Sequence, residues 1–96
     1  MVHGDKFIWD EEKFKSNILK HGVSFIEATT VFEDENAIYG YDEEHSEDED
    51  RFVVIGLSSE MKMLMVCHCY RNCDEVVRII SARKANSKEK AQYRRA

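Results

Sequence analysis

Along the chain the spacing of apolar residues changes from helical to alternating, and at the end back to helical. Phe7-Ile8-Trp9 is a short apolar run that reads as a small strand or an anchor in the core. Asp10 follows as an N-cap, with Glu11 and Glu12 in a first turn whose dipole favours acids. The spacing predicts a helix to about His21, with Lys20 and His21 in its last turn and Gly22 as the C′ residue. Phe14, Ile18 and Leu19 form its expected buried stripe, and Lys13, Asn17 and Lys20 fall together beside it. Those three read either as a solvated face or as a basic edge completing an anion site. Ser24-x-x-Glu27 is a capping box that opens a second helix with Phe25, Ala28, Val31 and Phe32 on its apolar face. The short link through Gly22 and Val23 makes the two helices a hairpin.

Beyond Phe32 the pattern becomes extended. Residues 37–41 read as a strand and 42–50, DEEHSEDED, as a solvated acidic loop. Residues 51–57 alternate, with Arg51, Val53, Ile55 and Leu57 on one face. Residues 63–70 and 75–83 give two more strands joined by short turns, the pattern of an antiparallel meander. Asn86 or Ser87 then caps a final helix carrying Glu89 and Tyr93 one turn apart. The expected fold is α+β, with two N-terminal helices packed on one face of a four-stranded antiparallel sheet and a C-terminal helix closing it.

The last strand holds the most informative stretch, VVRIISARKA. Its β-branched residues suit a central strand, yet two arginines interrupt it. Strict alternation puts Arg78 with Val76, Ile80 and Ala82, and Arg83 on the other face with Val77, Ile79 and Ser81. A guanidinium among apolar neighbours costs several kcal/mol of desolvation unless it is paired or opens to a wet surface. Arg78 therefore either meets one of the chain's carboxylates or stands ready for an external anion, a task its planar fork suits.

Charge sharpens this picture. The 96 residues carry a formal net charge of −5, but residues 33–50 hold ten acids and no Lys or Arg. The rest holds 14 basic and nine acidic residues, a local excess of +5. Residues 76–96 alone carry seven basic residues against Glu89. The asymmetry points to an anionic ligand at one place and a basic partner at the other. Length makes residues 1–96 one domain, and 43% hydrophobic with 34% charged residues suits a folded globular chain. No apolar run approaches the about 18 residues of a membrane span, and the N-terminus lacks a signal-peptide plan, so a cytoplasmic chain is expected. Cys67, Cys69 and Cys73 are expected to be reduced thiols. With His68 they hint at zinc, but His68 would face away from Cys67 and Cys69, and no second C-x-x-C pair exists, so no metal or other cofactor is expected. Glycine-rich phosphate loops, a Ser-His-Asp order and paired catalytic carboxylates are missing from the sequence, which removes NTPases, serine hydrolases and glycosidases.

Three stretches, FIWDEEKFKSNILKHGVSFIEA, DEEHSEDEDRFVVIGLS and VRIISARKANSKEKAQY, together resemble the BrnT family of small bacterial toxins. The resemblance runs from about Phe7 to Tyr93, and the cysteine-rich VCHCYRNC segment and the short tail depart from it. It implies a RelE-like fold and a ribonuclease that arrests translation. It also implies a BrnA-like antitoxin that neutralises the toxin and supplies all contact with operator DNA. In such metal-free enzymes the ribose 2′-hydroxyl attacks its own phosphate, so cations and proton carriers are required. The implied catalytic set is His21, Arg78, Arg83, Glu89 and Tyr93, with Lys13, Asn17, Lys20 and Arg51 holding RNA. Plainer readings stand beside these: His21 as a helix-dipole partner, Glu89 as a cap or ion pair, and Tyr93 as packing; Trp9 reads as core, with base stacking of RNA as the alternative. The alternative to an enzyme is a non-catalytic binding module whose acidic loop docks a basic protein.

Overall fold

Among the residues described by the computed structural model, 2–3 and 7–95, six strands form a single mixed sheet. In chain order the elements are β1 (Val2–His3), β2 (Phe7–Ile8), α1 (Glu11–His21), α2 (Phe25–Thr30), β3 (Ile38–Tyr41), β4 (Phe52–Leu57), β5 (Met63–Arg71), β6 (Val76–Lys84) and α3 (Ser87–Arg95). In space the strands run β1-β2-β6-β5-β4-β3. The expected antiparallel meander is β3 to β6. The expectation of four strands is corrected at the other edge, where β2 lies parallel to β6 through Phe7↔Val77 and Ile8↔Arg78, and β1 folds back on β2. Two residues are too few to show an alternation, so only the vacant edge of β6 decides that they pair.

The helices start and stop where their caps dictate. The Asp10 carboxylate accepts the Lys13 N–H at 3.0 Å. Gly22 closes α1 at φ 68°, donating its N–H to the Ile18 carbonyl at 2.8 Å. That left-handed conformation favours a residue without Cβ. Ser24 caps α2 by accepting from the Ile26 and Glu27 N–H groups. The capping box is only half formed, because the buried Glu27 carboxylate turns inward to accept the Ser58 hydroxyl at 2.7 Å. A 3₁₀ turn at Val31–Glu33 continues α2.

The core joins Val23, Phe25, Ala28 and Val31 to Val54, Leu64, Val66, Ile79 and Ala82. Full burial of side chains such as Phe25 or Ile79 contributes about 1.5–3 kcal/mol each. Trp9 belongs to this core, its ring 5.7 Å from Phe14 and 6.1 Å from Phe25. The predicted stripe of α1 is corrected: Ile18 is 40% and Leu19 87% exposed, while Asn17 is 5% exposed. Asn17 donates to the Val23 and Ala82 carbonyls at 2.9 and 2.8 Å and accepts the Ala82 N–H at 3.1 Å. β2 pairs with β6 only as far as Arg78, and the Asn17 amide takes up the peptide groups of Ala82 on that same edge. A polar amide thus docks α1, because an open strand edge needs hydrogen bonds rather than apolar cover.

Candidate functional site

The face of the sheet turned away from the core gathers four arginines, Arg51, Arg71, Arg78 and Arg83. Its floor follows from the register. Val53 pairs with Cys67 and Ile55 with Met65, while Cys69 pairs with Arg78, Cys67 with Ser81 and Met65 with Arg83. Met65, Cys67 and Cys69 alternate along β5 and share one face, so Arg78, Ser81 and Arg83 share it too. Strict alternation had separated Arg78 from Arg83. The difference is a register shift opposite Cys67 and His68, where β6 carries Ile80 as an extra residue. Such a bulge flips the face of everything beyond it.

The guanidiniums differ in what holds them. Arg83 is fixed by the two oxygens of Glu89, both at 2.8 Å, and touches the Met65 sulfur at 3.3 Å. The Arg83 hydrogen bonds hold the Glu89 carboxyl below its ordinary range against its burial. Asn86 and Glu89 also complete a reciprocal cap at the start of α3, with distances of 2.8 and 2.9 Å. Arg71, at the end of β5, donates to Glu49 at 2.9 Å, and Arg51 lies 3.6 Å from the same carboxylate. The Glu49 carboxyl is held low first by the Arg71 hydrogen bond, with burial opposing and the charges of Arg71, Arg51 and Arg78 assisting. Three guanidiniums thus surround Glu49. Arg78 is half-buried, and among the described residues it has no ion-pair partner within 4.0 Å.

Beside β6 lies a second cluster. Lys13, Ser16, Lys20 and His21 from α1, with Ile80 and Ser81 from β6, line a cleft of about 210 Å³. Asn17 forms its base, but its amide is already committed to the backbone, unlike the lysines with which it was grouped. The Cys67 thiol is pushed up to about 11, first by burial and then by Asp42, with the Arg51 and Lys13 charges opposing. Burial raises the Cys69 thiol too, so neither is a nucleophile at neutral pH. Among the described residues no group of three His, Cys, Asp or Glu side chains is placed to hold a metal ion.

Tyr93 stands apart from both clusters. Its hydroxyl donates to Asp34 at 2.7 Å, and Asp34 also accepts the Leu57 and Asn36 N–H groups. Burial works against the Asp34 carboxylate, but these three hydrogen bonds outweigh it and hold the group low. His45 lies 2.9 Å from Asp42 and organises the acidic loop. The structure therefore brings Lys13, Lys20 and His21 together on one side and Arg51, Arg78 and Arg83 on the sheet, with Glu89 behind Arg83. Arg71 was missed by the sequence reading, although it continues the alternation Met65, Cys67, Cys69.

The chain is an α+β domain with guanidiniums gathered on one sheet face and lysines and a histidine on the flanking helix. The chain belongs to the BrnT family of ribonuclease toxins of type II toxin–antitoxin systems, whose family model matches residues 9–89. Its fold is similar to the crystal structure of the Brucella abortus ribonuclease toxin BrnT, with a TM-score of 0.65 and 27% identity over 85% of this chain and 97% of that one. No curated protein gives a significant match. No helix among the described residues is long and apolar enough to cross a membrane.

Proposed function

We propose that this chain is a metal-independent endoribonuclease that cleaves RNA by 2′-hydroxyl attack, arrests translation, and is neutralised by a BrnA-like antitoxin that alone contacts operator DNA. The observation that carries the reading is Arg78, a half-buried guanidinium with no ion pair among the described residues, on the same face as Arg83. Arg78 takes the scissile phosphate, and Arg83, oriented by Glu89, stabilises charge as the phosphorane forms. Arg51 and Arg71 hold a neighbouring phosphate, and Lys13 and Lys20 steer the strand along α1. His21, in the cleft with Lys13, Lys20 and Ser81, takes the proton of the 2′-hydroxyl as it attacks phosphorus and returns it to the 5′-oxygen as the P–O5′ bond breaks. Asn17 positions α1, and Tyr93 positions α3 through Asp34.

The test is cleavage of mRNA by the purified protein in excess EDTA, scored for 2′,3′-cyclic phosphate ends. Cleavage is expected without metal and is expected to disappear in Arg78→Ala and Arg78→Lys, with the fold retained. Full activity in both variants refutes the assignment of Arg78. Inhibition of an in-vitro translation reaction without any RNA cleavage favours the binding-module alternative.

A further inference from the structure

The helix-bearing face is not closed along its whole length. Beyond the 3₁₀ turn a set of rings covers it: Phe32 4.9 Å and Tyr70 5.3 Å from the buried His68 ring, and Phe52 5.4 Å from Tyr70. The His68 imidazole is kept from protonation by burial, so the floor of this cluster is neutral. Tyr39 and Tyr41 extend the cluster onto β3, where they are 54% and 50% exposed. Tyr41 packs 5.5 Å from Phe52, and Tyr39 6.2 Å from Phe32. Among the described residues the outer edge of β3 has no strand partner.

Where this surface reaches the end of the sheet, a cleft of about 480 Å³ opens between Phe52 and Tyr70, lined also by Glu49, Asp50, Arg71 and Asp74. Its charge is lopsided. Three carboxylates face one guanidinium, and Glu49 already binds that guanidinium at 2.9 Å. Asp50 accepts the Tyr41 hydroxyl at 3.0 Å, and burial and then Asp74 raise the Tyr70 phenol. Ring faces are the negative ends of an aromatic quadrupole, and carboxylates on the rim add to the same field. A cation on a flexible apolar stem matches both parts, and a phosphate chain matches neither.

We infer that this is a docking surface for a basic segment of a protein partner, which lays apolar side chains on Tyr39 and Tyr41 and inserts an arginine or lysine between Phe52 and Tyr70. Arginine is the better guest, because its plane stacks on rings while its edge bonds Asp50 or Asp74. The cleft shares Glu49 and Arg71 with the edge of the arginine cluster, but its rings, Asp50 and Asp74 take no part in the ribonuclease reading, so the inference does not depend on that reading. It narrows the basic-partner site from the acidic loop as a whole to the base of that loop and the rings beside it.

The experiment is NMR titration of the whole 96-residue chain with a short peptide alternating Arg and Leu. The largest shifts are expected at Tyr39, Tyr41, Phe52, Tyr70 and Asp74. The double variant Asp50→Asn, Asp74→Asn leaves the rings in place and is expected to bind roughly fivefold more weakly. The loop-tip variant Glu43→Gln, Glu44→Gln, Glu47→Gln is expected to bind nearly as well as the parent. Shifts confined to residues 43–48, or equal losses in the two variants, overturn the inference in favour of diffuse charge attraction. Equal shifts of the same rings by a uridine oligonucleotide overturn it in favour of RNA, and the same shifts on concentrating the chain alone overturn it in favour of self-association.

Discussion

Replacement of Asn17 tests the way α1 is attached to the sheet. Its side chain makes three hydrogen bonds of 2.8 to 3.1 Å to the peptide groups of Val23 and Ala82, at a site 5% exposed. Asn17→Ala removes all three and leaves two carbonyls and one N–H with little access to water. At about 1 kcal/mol for each bond, the expected loss is about 3 kcal/mol. Total stability for a domain of this kind is about 5–15 kcal/mol, so Tm should fall by about 10–25 °C. Asn17→Asp is the sharper variant. It keeps an acceptor for the Ala82 N–H but aims a carboxylate oxygen at the Val23 and Ala82 carbonyls. Facing those acceptors raises the new carboxyl above its unfolded value of about 3.9, so the deficit grows as pH rises through that value and eases in acid. Urea unfolding followed by the single, buried Trp9 gives both numbers. A loss below about 0.5 kcal/mol for Asn17→Ala would mean that apolar packing, not the amide, docks α1.

Gly56→Ala should destabilise by about 1–3 kcal/mol, because an added Cβ would sit 2.8 Å from the Val31 side chain and 3.1 Å from Ala37 in a packed layer; calorimetry checks this. Folding stability should fall as pH drops below the ordinary carboxylate values of 4.5 for Glu89 and 3.8 for Asp34. Both groups are depressed in the fold and lose their contribution on protonation, and urea midpoints in Glu89→Gln should show a flatter acid limb. Thiol labelling of the native chain at neutral pH should modify Cys73 rapidly and Cys67 and Cys69 only after unfolding, since Cys73 is exposed while the other two are buried with raised thiols; mass spectrometry counts the adducts.

How much of this was legible depends on the range of the forces involved. The helix ends at Asp10, Gly22 and Ser24 were readable because a cap acts within four residues. The meander was readable because short turns leave adjacent strands no other course. The common face of Arg78 and Arg83 was not. The extra residue Ile80 is set by how β6 meets β5, a pairing across the sheet that no local alternation reports. Asn17 was misplaced for the same reason. Helical spacing puts it beside the apolar stripe, but it reaches the edge of β6 sixty-five residues away in sequence. Glu27 carried a correct signal for the start of α2, yet its carboxylate went to Ser58 rather than back to its own cap. Arg71 lay at the last position of an alternation that stopped one residue too soon.

The same bulge explains how an acidic chain offers a basic surface. With a net charge of −5, the field far from the molecule repels RNA. At physiological salt the Debye length is about 8 Å, so an exposed carboxylate at the loop tip barely reaches the sheet face, and local charges set the field there. Without the extra residue at Ile80, alternation would turn Arg78 toward the core, where its burial would cost several kcal/mol. With it, Arg78 joins Arg51 and Arg71 around Glu49, a set of three positive charges and one negative. Glu49 lowers the field there, but it also holds Arg71 and Arg51 in place at 2.9 and 3.6 Å, an ordering that the stems of free arginines lack. Glu49 inside the cluster organises it, while the exposed acids at the tip of the loop are screened from it. The sign of the whole chain and the sign of this face can therefore differ without conflict.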